Sequence, residues 1–109
     1  MPENNFNQKI YTLLKKVPKG KITTYKILAE ALDTKAYRAV GQAMKNNPFA
    51  PKVPCHRVVK SDGKIGGFSG SMNPESKEVK RKIMLLKKEG IKFKENKIED
   101  FEKVLVKKF

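Results

Sequence analysis

Near the start of the chain, apolar residues recur at helical spacing: Phe6, Ile10, Leu13, Leu14 and Val17 share one side. Asn4 or Asn5 is available as the cap, and Pro18-Lys19-Gly20 as the stop, so the pattern predicts a core-packing first helix. Ile22 reads as a short strand. Thr23 or Thr24 then caps a second helix running to Leu32, with Leu28, Ala29 and Leu32 as its apolar side. Asp33-Thr34-Lys35 turns the chain into a third helix over residues 36–45, with Ala39, Val40, Ala43 and Met44 as its apolar side. That helix ends at Asn46-Asn47-Pro48, because proline disfavours helical geometry in the residue before it. Two short helices joined by a tight turn describe a helix-turn-helix, a pattern that also arises as plain packing.

The second half changes period. Residues 57–60 and 64–68 flank Ser61-Asp62-Gly63, and Asp-Gly between such runs predicts a small hairpin. Gly66, Gly67, Phe68, Ser69 and Gly70 follow as a glycine-rich loop able to bring backbone N–H and C=O groups against a flat ligand, or to serve as an ordinary connector. After Asn73-Pro74, residues 75–89 read as a helix with Val79, Ile83 and Leu86 on one face, lysines elsewhere and Gly90 as its stop. Residues 91–109 fit two patterns: Ile91 and Phe93 alternate like a strand, whereas Ile98, Phe101, Val104 and Leu105 suggest a closing helix. The sum is a mostly α domain with a small β-hairpin.

Length and charge limit what such a domain does. At 109 residues the chain builds one core, not two. Lysine and arginine number 25 against 11 acidic residues, leaving +14, which favours a polyanionic partner, nucleic acid first. An anionic membrane surface and simple solubility are the competing uses of that charge. The first hydrophobic stretch is broken by Lys15 and Lys16, and neither a long apolar run nor a secretory signal is present, so a soluble cytoplasmic protein is expected. One cysteine forms no internal disulfide, and one cysteine with one histidine forms no four-ligand zinc site, so neither metal nor cofactor is expected.

The single cysteine and single histidine stand side by side in Pro54-Cys55-His56-Arg57-Val58-Val59. A thiol acts as a nucleophile in its thiolate form, which a nearby imidazole or cation favours, and His56 and Arg57 supply one of each. Taken alone, the pair is better read as a buried small hydrophobe beside a surface histidine. The third helix adds weight to a functional reading. Arg38 lies in its first turn, where a side chain projects from the tip of the unit. Gly41 sits mid-helix at a cost of about 1 kcal/mol relative to alanine, as if to admit a backbone or ligand. Ala36, Ala39, Gly41 and Ala43 make the helix thin enough for a narrow groove, or for tight packing on a neighbour.

Six separated segments taken together resemble one family. They are Gly20-Lys21-Ile22-Thr23-Thr24-Tyr25, Arg38-Ala39-Val40-Gly41, Asn46-Asn47-Pro48, Pro54-Cys55-His56-Arg57-Val58-Val59, Ile65-Gly66-Gly67-Phe68-Ser69-Gly70, and Arg81-Lys82-Ile83-Met84-Leu85-Leu86 before Glu89-Gly90. In order and spacing they resemble the O6-alkylguanine-DNA alkyltransferases, the methylated-DNA–protein-cysteine methyltransferases, over residues 20–90. The resemblance implies a winged helix-turn-helix-like domain that binds duplex DNA through the minor groove and extrudes the damaged nucleotide, at an unstacking cost of a few kcal/mol. By that likeness Arg38 fills the vacated space and Tyr25 lies near the rotating phosphate or donates a proton to the departing base. Ala39 and Gly41 belong to the DNA-facing helix, and Asn47 is the hinge to the active-site loop. Pro54, Gly66 and Phe68 line the pocket, and backbone groups around Cys55, Val58 and Ser69 read the guanine edge. Cys55 takes the alkyl group in one irreversible step, helped by a relay through water, His56 and Glu89, with Lys82 favouring the thiolate.

Three departures from the family pattern carry expectations. Only about twenty residues precede the matching region, where the family usually carries an α/β domain, so the chain is expected to be the catalytic domain alone, acting as a monomer. Phe68 stands where many members have tyrosine, which removes a hydroxyl and predicts slower transfer. The span from Phe68 to Glu89 is several residues longer than usual. The nearest competitor is an alkyltransferase-like binding module that flags the lesion and transfers nothing; such proteins typically replace the cysteine that this chain keeps. More distant are a basic helix-turn-helix protein with an incidental thiol and a cysteine hydrolase.

Overall fold

Thr24 begins the central arrangement. Its hydroxyl accepts a hydrogen bond from the Ile27 N–H at 3.0 Å, satisfying an orphan donor in the first turn of the helix that follows. The computed structural model describes residues 5–47, 52–66, 75–95 and 97–109. In chain order these form α1 (Asn5–Leu14), β1 (Thr23–Thr24), α2 (Tyr25–Ala31), α3 (Tyr37–Lys45), a 3-10 turn (Cys55–Arg57), β2 (Val58–Val59), α4 (Lys77–Lys88), β3 (Phe93–Lys94), β4 (Lys97–Ile98) and α5 (Phe101–Val104). No helix among the described residues is long and apolar enough to cross a membrane.

Leu32 and Asp33 close α2, Asp33 in the left-handed region at φ 55°, and the Thr34 N–H returns to the Ala29 carbonyl. This tight connection lays α3 against α2 as a helix-turn-helix, with α1 packed across α3. Leu28, Ala29, Val40 and Ala43 meet Ile10, Tyr11 and Leu14 in one core, and the Tyr11 hydroxyl donates to the Ala43 carbonyl at 2.9 Å. Ala43 therefore does not belong to an outward small-residue face. It lies three residues beyond Val40 on the buried stripe, whereas Ala36 is exposed and Ala39 and Gly41 are partly so.

The expected turn at 61–63 forms: the Lys60 N–H donates to the Lys64 carbonyl and the Gly63 N–H to the Lys60 carbonyl. Among the described residues, however, its arms pair elsewhere. The first arm, β2, pairs in parallel with β1, matching Thr23 to Val58 and Thr24 to Val59, while Lys64 bridges Lys97. Val58 and Val59 are both fully buried, so this strand needs cover on two faces, the environment of a parallel pairing rather than of a half-exposed hairpin. The antiparallel hairpin of the fold is β3–β4, with Phe93 opposite Ile98.

Residues 91–109 thus hold a hairpin and a helix shorter than expected: Phe101 and Val104 lie in α5, whereas Ile98 lies in β4 and Leu105 bridges Ile22. A second core collects Ile22, Val59, Ile65, Val79, Leu86, Ile91 and Ile98. The end of the chain then returns to β1: the Ile22 N–H donates to Val104, the Val106 N–H to Ile22, and the Thr23 hydroxyl to Val106. Three hydrogen bonds to the strand leading into α2 make the tail part of the fold. Removing residues 104–109 is expected to cost about 2 kcal/mol and to lower Tm by about 10 °C, measured by thermal unfolding; an unchanged Tm would mean that the tail is dispensable.

Candidate functional site

Cys55 opens the 3-10 turn that joins the two cores. Pro54, buried, precedes it; the Cys55 N–H donates to the Val53 carbonyl at 2.8 Å and the Val58 N–H donates back to the Cys55 carbonyl. Asn47, just past α3, donates from its side-chain amide to the Val53 carbonyl at 2.8 Å. The end of the helix-turn-helix is thereby tied to the backbone two residues before the thiol. Cys55 is 6% exposed and packs with the first core, so the small-hydrophobe description of its burial is correct as far as it goes. What distinguishes the position is the polar company around it.

His56, expected at the surface on the plainer reading, is 2% exposed. Its Nε2 lies 3.0 Å from Glu89 Oε2. Glu89 caps the C-terminal end of α4, where Gly90 adopts φ +92° and terminates the helix. Arg57 grips the same carboxylate with two prongs, Nε to Oε1 at 2.8 Å and Nη2 to Oε2 at 2.7 Å, and its Nη1 donates to the Val17 carbonyl at 2.7 Å. The sequence suggested Arg57 as a cation for the thiol. Its guanidinium is instead committed to Glu89 and to the segment after α1, because a planar fork matches a carboxylate in bidentate fashion.

These bonds set charge states. Burial by itself would raise the Glu89 carboxyl, but the bonds from Arg57 and His56 hold it below the ordinary value, so it is an acceptor only. Burial lowers His56 below its ordinary value, outweighing the pull of Glu89 in the other direction. A neutral imidazole facing a carboxylate through Nε2 must carry its proton there, which leaves Nδ1 as a bare lone pair. Sequence reasoning named His56 and Glu89 but had no means of assigning the tautomer.

On another side of the thiol stand Tyr25 and Lys82. Burial, then the charge of Cys55, push the Tyr25 hydroxyl up to about 12, so it keeps its proton and remains a donor. Gly66 lies against Tyr25, where an added Cβ would meet the ring and hydroxyl at an ordinary contact of 3.4 Å, and it is the φ of +72° that calls for glycine. Lys82, fully buried in α4, donates to the Ile65 carbonyl and places Nζ 5.9 Å from the centre of the Tyr25 ring. Burial lowers it to about 7, with Cys55 acting in the opposite direction. Tyr11, absent from the sequence-based set and from the apolar positions read for the first helix, also feels Cys55 while holding α1 to α3.

Arg38, Ala39 and Gly41 lie on α3 apart from this cluster. Arg38 is exposed in the first turn, and a Cβ at Gly41 would meet nothing within 4 Å. Gly41 therefore serves no close packing among the described residues. Phe68 and Ser69 lie outside the described residues. No three His, Cys, Asp or Glu side chains come together as a metal-holding group among the described residues.

Comparison with known proteins places this geometry. The chain is 42% identical over 89 residues to a methylated-DNA–protein-cysteine methyltransferase of Metallosphaera sedula, covering 82% of this chain and 53% of that protein. The chain spans about half the length of the curated relatives it matches. Among solved structures, S. pombe Atl1 in complex with damaged DNA containing O6-carboxymethylguanine superposes with a TM-score of 0.79 at 28% identity, covering 95% of this chain and 96% of that one. The O6-methylguanine-DNA methyltransferase of Pyrococcus kodakaraensis superposes at 0.66 with 46% identity, covering 79% and 46%. The family described as 6-O-methylguanine DNA methyltransferase, DNA binding domain, matches residues 5–91, and the chain belongs to it.

Proposed function

We propose that this chain, as a single domain and a monomer, repairs O6-alkylguanine in duplex DNA by moving the alkyl group to Cys55. The observation that carries the reading is the lone cysteine set beside a neutral histidine whose Nε2 proton is committed to Glu89. The thiol proton passes through water to Nδ1 of His56, and the sulfur displaces the guanine oxygen at the alkyl carbon. One S–C bond forms and one C–O bond breaks. In sum, the proton lost by the thiol is the one that restored guanine carries on N1. Tyr25, still protonated, gives a hydrogen bond to the departing purine, and Lys82 steadies the sulfur charge.

The duplex meets α3 from outside. Arg38 stands where a displaced nucleotide leaves a gap, and the open surface at Gly41 lets a strand approach the helix backbone. The +14 charge supplies the phosphate contacts of this reading. Asn47, tied to the Val53 carbonyl, couples α3 to the loop carrying Cys55. Pro54, Val58, Gly66, Phe68 and Ser69 are taken, on the family resemblance, as the residues that receive the base, without metal or cofactor.

Incubation with an oligonucleotide bearing O6-methylguanine is expected to add one methyl mass to the protein at Cys55, and Cys55→Ala is expected to bind the lesion and stay unmodified. Intact-mass measurement on folded protein settles this, since no adduct would leave the lesion-binding module in its place. Gly41→Ala is expected to stabilise the fold by about 1 kcal/mol through helix propensity. The same variant should slow transfer from duplex by about tenfold, as a methyl group intrudes on the strand. A variant slowed equally on free O6-benzylguanine would contradict this placement of the duplex.

A further inference from the structure

Three large apolar side chains are exposed among the described residues: Tyr37, Met84 and Phe109. Met84 lies on α4 and Phe109 ends the chain, whereas Tyr37 occupies the first turn of α3, immediately before Arg38. It is 43% exposed, and its hydroxyl has no hydrogen-bond partner among the described residues. The first turn of α3 lacks a side-chain cap, so nothing local explains the ring by helix initiation. Gly41 lies one turn further on the same flank, and a Cβ there would meet nothing within 4 Å. Tyr37 and Gly41 thus share a flank of α3 that is open at the glycine. Lys35 and Lys45, both exposed, put positive charge at either end of this face.

We propose that Tyr37 is a second DNA-opening residue, an aromatic wedge that packs on the deoxyribose and base edge of the nucleotide adjoining the extruded one, on the minor-groove side. This rests on the transferase reading for its lesion but not for its contact. Consecutive side chains on a helix diverge by about 100°, so Arg38 and Tyr37 do not fill the same space. The arginine occupies the vacated position, and the ring bears on the neighbouring step, where apolar wedges unstack bases and bend the duplex. Its hydroxyl faces the acceptors that every base pair offers in that groove, N3 of purines and O2 of pyrimidines, so the contact carries no sequence preference. The role is that of a positioning residue: Tyr37 touches DNA and never the alkyl carbon.

The test compares wild type, Tyr37→Ala and Tyr37→Phe by fluorescence anisotropy on duplexes with and without O6-methylguanine, and by alkyl transfer from the same lesion duplex and from free O6-benzylguanine. Tyr37→Ala is expected to lose about tenfold in lesion-duplex affinity and in duplex transfer, while its transfer from the free base, which needs no extrusion, stays at the wild-type rate. Tyr37→Phe keeps the ring and most of both duplex activities. Unchanged duplex binding by Tyr37→Ala overturns the proposal, as does an equal loss on the free base, which would mark a fold defect. A wild-type protein that takes no alkyl group even from the free base refutes the transferase reading, and the affinity comparison still decides the wedge.

Discussion

One carboxylate determines the state of the groups around Cys55. Glu89 accepts two bonds from Arg57 and one from His56, and these hold its carboxyl below the ordinary value although burial acts in the opposite direction. Because it is ionised it only accepts, and because it only accepts, the histidine proton lies on Nε2. Without Arg57, Glu89 would be a buried charge with a single neutral partner; without Glu89, nothing would distinguish the two ring nitrogens of His56. The third prong of Arg57, to the Val17 carbonyl, fixes this arrangement to the segment that follows α1.

The surrounding fold brings four separate segments to that point. The β1–β2 pairing sets Thr24 beside Val59, so Tyr25, the next residue after β1, and Cys55, three before Val58, emerge near one another. α4 contributes Lys82 from its middle and Glu89 from its end. α3 is tied to the site through Asn47 and the Val53 carbonyl, while Arg38 in its first turn stays exposed. The tail, bonded to Ile22 and Thr23, backs the strand on which this registration depends.

Helical periodicity located α2 to α4 within a residue or two and overran the end of α1 by three, because such signals act over one or two turns; Thr24 was legible as a cap, whereas Ser76, which likewise accepts from an N–H three residues on, was not singled out. The family resemblance collected the side chains that the fold brings together at the thiol. What local signals do not contain is partnership at long range. Nothing in Arg57-Val58-Val59-Lys60 tells an antiparallel arm from a buried parallel strand until Thr23 is found beside it, thirty-five residues earlier in the chain. Arg57 next to a cysteine suggests a cation for sulfur, yet its carboxylate lies thirty-two residues downstream and claims it. Ala43 matched both an inward stripe and an outward run of small residues, and its complete burial beside Val40 decides between them.

The proton on His56 is therefore the most direct object of measurement. Nitrogen-detected or nitrogen-edited NMR of the single imidazole at neutral pH is expected to show a neutral ring with hydrogen on Nε2 and a bare Nδ1, staying neutral as pH falls past the ordinary histidine value of 6.5. An imidazolium at that pH, or hydrogen on Nδ1 instead, would contradict the account at its centre.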